Sequence, residues 1–239
     1  MASIDLSKSF FDKDLVETIS HRLRAGGVPN VLWGNYLLTV YGVPEIISDA
    51  AFAVPDHKLQ IARQILCKAN LNVCRDAYCA ASNPFTLHPP TYHFHLHRHD
   101  LSVSLFKQSE VLPNVPDVES ATNIISASDK SLPRPTVGLG NGAFLPRHKS
   151  VRVPTPACFT QACLMNFVKY IRKQDPNCPF DLYFLGWVTY MMEYVYPRGY
   201  LNIELLSGPF KEFVIGAYLG EETVASCTAA RDKLLNSNI

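Results

Sequence analysis

The sequence predicts an α/β fold: a mixed sheet flanked by helices, followed by C-terminal helices. Three observations carry this. Over the first two-thirds, runs with apolar residues at helical spacing alternate with short apolar runs of strand type. The last third reads as helix almost throughout. Between them, YHFHLHRHDLSVSLFKQS (residues 92–109) is strand-like from end to end. With 239 residues, 47% of them hydrophobic, the chain is long enough to bury a substantial core.

The elements follow in order. In FDKDLVETISHRLRA, Leu15, Ile19 and Leu23 recur on one helical face; Asp12 or Asp14 caps the start, and Gly26-Gly27 ends the helix. VPNVLWG is a short buried strand, and NYLLTVYG continues as a helix. EIISDAAFAVPD is a second strand, and Pro55-Asp56 opens the helix HKLQIARQILCKAN. Residues 71–80 read as a short strand with a turn, and SNPFTLHPP as a loop. A strand of typical length has about five or six residues, so residues 92–109 are read as a hairpin with HRHD at its tip rather than one long strand. Residues 112–150 form a long stretch interrupted by proline and glycine, of the kind that is functional or carries short elements of its own. VRVP is a strand. TPACFTQACLMNFVKYIRK is a helix with Thr155 as N-cap and Pro156 at its first position. PFDLYFLGWVTYMMEYVYPRG is a second, apolar helix, and the tail adds one or two more. The expected organisation is an α/β core over residues 1–153, with a helical region, 154–239, packed on it as one unit.

The net charge of +1 gives no electrostatic reason to expect nucleic acid or an anionic membrane as partner. No run of about 18 apolar residues predicts a membrane span. The first residues lack the apolar core of a signal peptide, and the seven cysteines are an odd number. Together these predict a cytoplasmic protein with reduced thiols. Cys74 and Cys79 have four residues between them, a poor match to the usual Cys-x2-Cys zinc spacing.

VLWGNYLLTVYGVPEIISDAAFAVPD resembles the opening of the nucleotidyltransferase superfamily, the polymerase-beta-like fold, and VRVPTPACFTQACLMNFVKYI resembles the strand-to-helix step that follows its catalytic sheet. The resemblance covers about residues 10 to 175 and implies a nucleotidyltransferase-like mixed sheet. In that family a strand ends in glycine followed by Gly or Ser, and the turn cradles phosphates with free backbone N–H groups. A second strand carries Asp-x-Asp, whose carboxylates hold Mg²⁺, and a later strand adds a third carboxylate. Here Gly34 matches the glycine and Asp49 the first aspartate, but Asn35 and Ala51 replace the residues expected beside them. Asp56 opens a helix and is no substitute; Asp100 is a candidate third carboxylate. The resemblance therefore implies a decayed scaffold without ordinary two-metal transfer. LWGNYLLTVYGVP, YHFHL, LSVSLFKQSEVLP, SASDKSLP and VRVPTP also resemble a group of filamentous-fungal proteins, some of which accompany secondary-metabolite genes. That resemblance implies a biosynthetic enzyme without specifying the reaction.

Candidate chemistry centres on His93, His95, His97 and His99, alternating along one run. In a hairpin only His93 and His95 share a face with certainty. They serve as acid/base groups without a metal, because imidazole titrates near neutral pH; Asp49 would orient one of them. No residue is assigned to a metal and no cofactor is specified. A divalent metal at the histidines, with His88 or Asp49 as a third ligand, stays open as an alternative, as does plain structure. Trp33, Gly34 and Asn35 would line the cleft, with Lys107 and Ser109 after the apolar strand. In GLGNGAF, three alternate glycines permit close backbone approach to a ligand, although no P-loop lysine follows. Arg147 and Lys149, on alternate positions of an expected strand, would hold a phosphate or carboxylate. The leading expectation is an enzyme using histidine acid/base chemistry on a small organic substrate, by proton transfer, cyclisation or a lyase reaction. Residual Mg-nucleotide binding, and a non-catalytic binding or regulatory role, are the alternatives. Nothing in the sequence specifies an oligomeric state.

Overall fold

A computed structural model describes residues 5–76, 79, 88–97, 101–172, 180–220 and 224–237. Helix α1 spans Lys13–Ala25, with Leu15, Ile19 and Leu23 buried along one face. Asp12, not Asp14, is the cap: its Oδ1 accepts from the Leu15 N–H at 2.9 Å. Strand β1 (Val31–Trp33) runs straight into helix α2 (Gly34–Val40), and the change of direction falls on Gly34, at φ +73°. Strand β2 (Asp49–Val54) is shorter than the run 45–56, because its neighbours offer ladder partners only from Asp49 onwards. A 3-10 turn at Asp56–Lys58 leads into α3 (Leu59–Cys67). Strands β3 (Tyr92–His95) and β4 (Ser102–Lys107) form the hairpin, its tip residues 98–100 lying outside the described residues together with residues 82–87 of the loop 82–90.

The sheet order is β1-β2-β4-β3. β2 is antiparallel to β1 and parallel to β4, and β4 is antiparallel to β3, so the sheet is mixed. The register sorts side chains by face. Leu32, Phe52, Leu105, Tyr92 and Phe94 share one face, against which α3 lies, its Gln60 donating to the Tyr92 hydroxyl at 2.6 Å. Trp33, Asp49, Ala51, Ser102, Ser104, His93 and His95 share the other. There α5 (Pro156–Arg172) and α6 (Phe180–Tyr190) pack on the β1 side. Trp33 meets Phe159 at 4.9 Å and Trp187 at 5.7 Å between ring centroids. Burying a side chain of this size contributes on the order of 2–3 kcal/mol. Thr155 caps α5 through its hydroxyl, which accepts from the Cys158 N–H. α6 runs on into a π-helical turn at Met191–Val195, and α7 (Gly208–Val214) and α8 (Val224–Leu235) follow. No helix among the described residues is long and apolar enough to cross a membrane.

The long connection carries a four-residue helix, α4 (Gln108–Val111), and a small second sheet in which β5 (Ile124–Ser126) pairs antiparallel with β6 (Arg152–Pro154). The expected strand around Arg147 and Lys149 is instead a 3-10 turn at Pro146–His148. It turns because His148, 1% exposed, is drawn inward to Asp14 of α1 at 2.6 Å. Arg147 and Lys149 are left exposed, and Arg147 also faces Asp14. The glycines of GLGNGAF approach the protein's own backbone: the Gly140 N–H donates to Gly42 O and the Gly142 N–H to Thr39 O. A Cβ on Gly140 would lie 2.4 Å from Val43 O and 2.6 Å from Thr39 O. Gly140→Ala is therefore expected to cost about 1–3 kcal/mol, the usual range for overpacking, seen as a lower urea midpoint. An unchanged midpoint would contradict this close packing.

Candidate functional site

Asp49 opens β2, and the parallel register places it opposite Ser102. Its Oδ1 accepts from the Ser102 hydroxyl at 2.8 Å and from the Ser104 hydroxyl at 2.9 Å. Burial pushes the carboxyl up to about 6, against the pull of the two hydroxyls. Tyr183 of α6 stands within electrostatic reach, its phenol raised by burial first and by Asp49 second. At the position of a second aspartate, Ala51 is 3% exposed. Ser102 and Ser104 occupy the next strand on the same face, so the described part of this face holds one carboxylate at these positions.

His93 lies opposite Ser104, and His95 opposite Ser102. The serines thus stand between Asp49 and the histidines. Two strand spacings of about 4.8 Å separate β2 from β3, so Asp49 binds serines rather than orienting an imidazole, as the sequence had led one to expect. The two imidazoles are perpendicular, with ring centroids 5.2 Å apart. Burial, then the charge of His95, lowers the pKa of His93.

On the outer side of β3, Val73 bridges to Phe94, and the Cys74 N–H donates to His93 O at 2.9 Å. This alternation puts the Cys74 side chain on the histidine face. The Cys79 N–H donates to Asp76 O, and Cys79 Sγ comes to 3.4 Å from His95 Nε2. Cys74, Cys79, His93 and His95 each offer one ligand atom, and the four atoms all lie within 4.8 Å of one another. These residues could hold a metal ion. The four-residue gap between Cys74 and Cys79 speaks against a zinc pair in the sequence, yet the fold brings both to the histidines; the available signal is the paired pattern Cys-x4-Cys and His-x-His. Ser102 and Ser104 are not among the expected site residues, although their alternation in LSVSLF puts both on one face.

The other predicted residues are dispersed. Trp33 is 1% exposed and packed among aromatic rings. Gly34 is buried, and a Cβ there would touch that of Ala51 at 3.4 Å; Asn35 is half-buried in the first turn of α2. His88 belongs to another cluster: it stacks on Phe106 at 5.8 Å and meets the Tyr170 hydroxyl at 3.0 Å. Lys107 pairs with Glu110 at 2.7 Å, and the Ser109 hydroxyl donates to Asp56 at 2.6 Å. Both lie at the far end of β4, about 16 Å along the strand from Asp49. Arg147 and Lys149 lie on the turn beside α1. His99 and Asp100 are outside the described residues.

No family model matches the chain, and no match to a curated protein was found. Among solved structures, that of the antibiotic-resistance factor ANT(2'')-Ia in solution is similar, at 11% identity and a TM-score of 0.37, over 78% of this chain and 90% of that one.

The Asp49 carboxyl yields a pH prediction. Its ordinary value is 3.8 and its folded value about 6, so the folded state holds the proton more tightly. The resulting stability is fully present below the ordinary value and is lost as pH rises through about 6. One pKa unit corresponds to about 1.4 kcal/mol; allowing for the partial exposure of the residue, a loss on the order of 1–2 kcal/mol is expected. Urea titrations across this range should show the fall in the native protein and its absence in Asp49→Asn. Parallel profiles for the two would contradict the assignment.

Proposed function

We propose that this chain binds a small organic molecule on a nucleotidyltransferase-like scaffold that has lost two-metal nucleotidyl transfer. One observation carries the proposal. Asp49 heads the strand next to the Gly34 turn, as the family pattern requires, yet Ala51, Ser102 and Ser104 surround it where further carboxylates would be needed. A single carboxylate, engaged by two hydroxyls and held toward its neutral form by burial, is a poor anchor for a pair of divalent ions. The scaffold reading is supported by the strand, the positive-φ glycine and the helix in direct succession. Histidine acid/base chemistry is set aside, because His93 and His95 keep company with two cysteines.

A cavity of about 410 Å³ opens beside the first turn of α2, lined by Phe11, Lys13, Tyr36, Glu45, Ile47 and Asn141 among others. Its size falls in the usual range for small-molecule sites, about 300–1,000 Å³. It offers the Lys13 ammonium, the carboxylates of Glu45 and of the α1 cap Asp12, and an aromatic wall, a set that suits a compact polar molecule with an apolar or aryl part. Burial, chiefly, keeps the Tyr36 phenol protonated, so it can donate a hydrogen bond.

Two measurements test this. Calorimetric titration with ATP and Mg²⁺ should give no binding heat at millimolar ligand; Mg²⁺-dependent heat that disappears in Asp49→Ala would overturn the proposal. Ligand-observed NMR with a library of polar aryl fragments should find binders whose signal is lost in Glu45→Gln. Binders indifferent to Glu45, or none at all, would remove the cavity from the account.

A further inference from the structure

We propose that Cys74, Cys79, His93 and His95 form a tetrahedral zinc site that fastens the segment carrying Cys74 and Cys79 to the outer edge of the sheet. The inference is independent of the small-molecule reading.

The geometry comes first. Zinc bonds to imidazole nitrogen and thiolate sulfur are about 2.0–2.3 Å, so the edges of a tetrahedron of such ligands measure about 3.3–3.8 Å. Cys79 Sγ and His95 Nε2 already stand at 3.4 Å, and all four ligand atoms lie within 4.8 Å of one another. A contraction of at most about 1.5 Å on any edge completes the shell.

The backbone supports this arrangement before any ion arrives. His93 and His95 project from one face of β3 because they are two apart in a strand. Cys74 joins that face through the Val73–Phe94 bridge and its own N–H bond to His93 O. Cys79 reaches the same place, its N–H donating to Asp76 O. Two ligands therefore come from a strand and two from the segment laid beside it, so an ion would cross-link them.

The donor set chooses the metal. Two thiolates with two imidazoles in a compact shell suit zinc, and disfavour magnesium or calcium, which take oxygen ligands. Four protein ligands leave no open position for water or substrate, which marks a structural rather than a catalytic centre. A disulfide between Cys74 and Cys79 would use the same sulfurs but would give no role to the convergence of both imidazoles.

The consequence lies at the sheet edge. β3 is the last strand of the order, and among the described residues only the bridge at Val73 covers its outer side. An unprotected edge is a template for pairing with another chain. A zinc cross-link would hold the covering segment there. Binding would release protons as the thiols become thiolates.

The test uses the full chain, purified under reducing conditions with any affinity tag removed. Elemental analysis should find about one zinc per chain, as a single four-ligand site requires. Cys74→Ser and His95→Ala should each lose most of it, while His88→Ala and Asp49→Asn keep it. A chelator should lower the melting temperature of the native protein and leave that of Cys74→Ser unchanged. Should the variants fail to fold, cobalt(II) replaces zinc in the native chain: intense visible bands of a tetrahedral ion, with thiolate-to-cobalt charge transfer, support the site. A weak octahedral spectrum overturns it. So does a Cys74–Cys79 disulfide in the freshly reduced and re-equilibrated protein, a metal-free chain that takes up no added zinc, or zinc retained in Cys74→Ser.

Discussion

The parallel pairing of β2 with β4 is the constraint on which the rest depends. Parallel neighbours cannot be joined by a tight turn, so the chain between them must cross over. Here the crossing contains α3, the segment with Cys74 and Cys79, and β3. The antiparallel return from β3 to β4 then sets β3 on the outside and β4 in the middle. On β4, Ser102 then faces Asp49 on one side, and the hairpin register places His95 opposite it on the other. A slip of one residue in any of these strands would turn its side chains to the α3 face.

That register divides one face of the sheet into three chemically different strips. Nearest β1, Trp33 and Ala51 lie under an aromatic cluster from α5 and α6. In the middle, two serine hydroxyls hold Asp49. At the outer edge, two histidines meet two cysteines. The strips differ because the C-terminal helices bring aromatic side chains to the β1 side, whereas the crossover segment brings sulfur to the β3 side. This face is thus given over to packing and to hydrogen bonding between the serine hydroxyls and Asp49. The nearby cavity is formed instead by the start of α1, the start of α2 and the approach to β2.

What could be read from the sequence was local. α1 is legible because its apolar spacing and the Asp12 cap act within a few residues, and the start of α5 because Thr155 and Pro156 are side by side. The hairpin follows from ordinary strand length, and the shared face of His93 and His95 from the two-residue period. What could not be read was set by distant partners. Cys79 meets His95 across sixteen positions of chain, and no periodicity encodes that meeting. Asp14 curls Arg147 and Lys149 into a turn from 134 positions away, through His148. The glycines of GLGNGAF do allow close approach, but to the carbonyls of Thr39 and Gly42 rather than to a ligand. Ser102 and Ser104 were visible as an alternating pair, but their role depends on a parallel neighbour that the sequence does not announce.

If the outer strip holds zinc, His93 and His95 are ligands and leave acid/base chemistry, and the sheet edge owes its closure to a metal. X-ray absorption at the zinc edge, on the chain loaded with one equivalent, tests this most directly because it counts the neighbours of the ion. The account predicts two sulfur neighbours at about 2.3 Å and two nitrogen neighbours at about 2.0–2.1 Å. A shell of nitrogen and oxygen alone would contradict it.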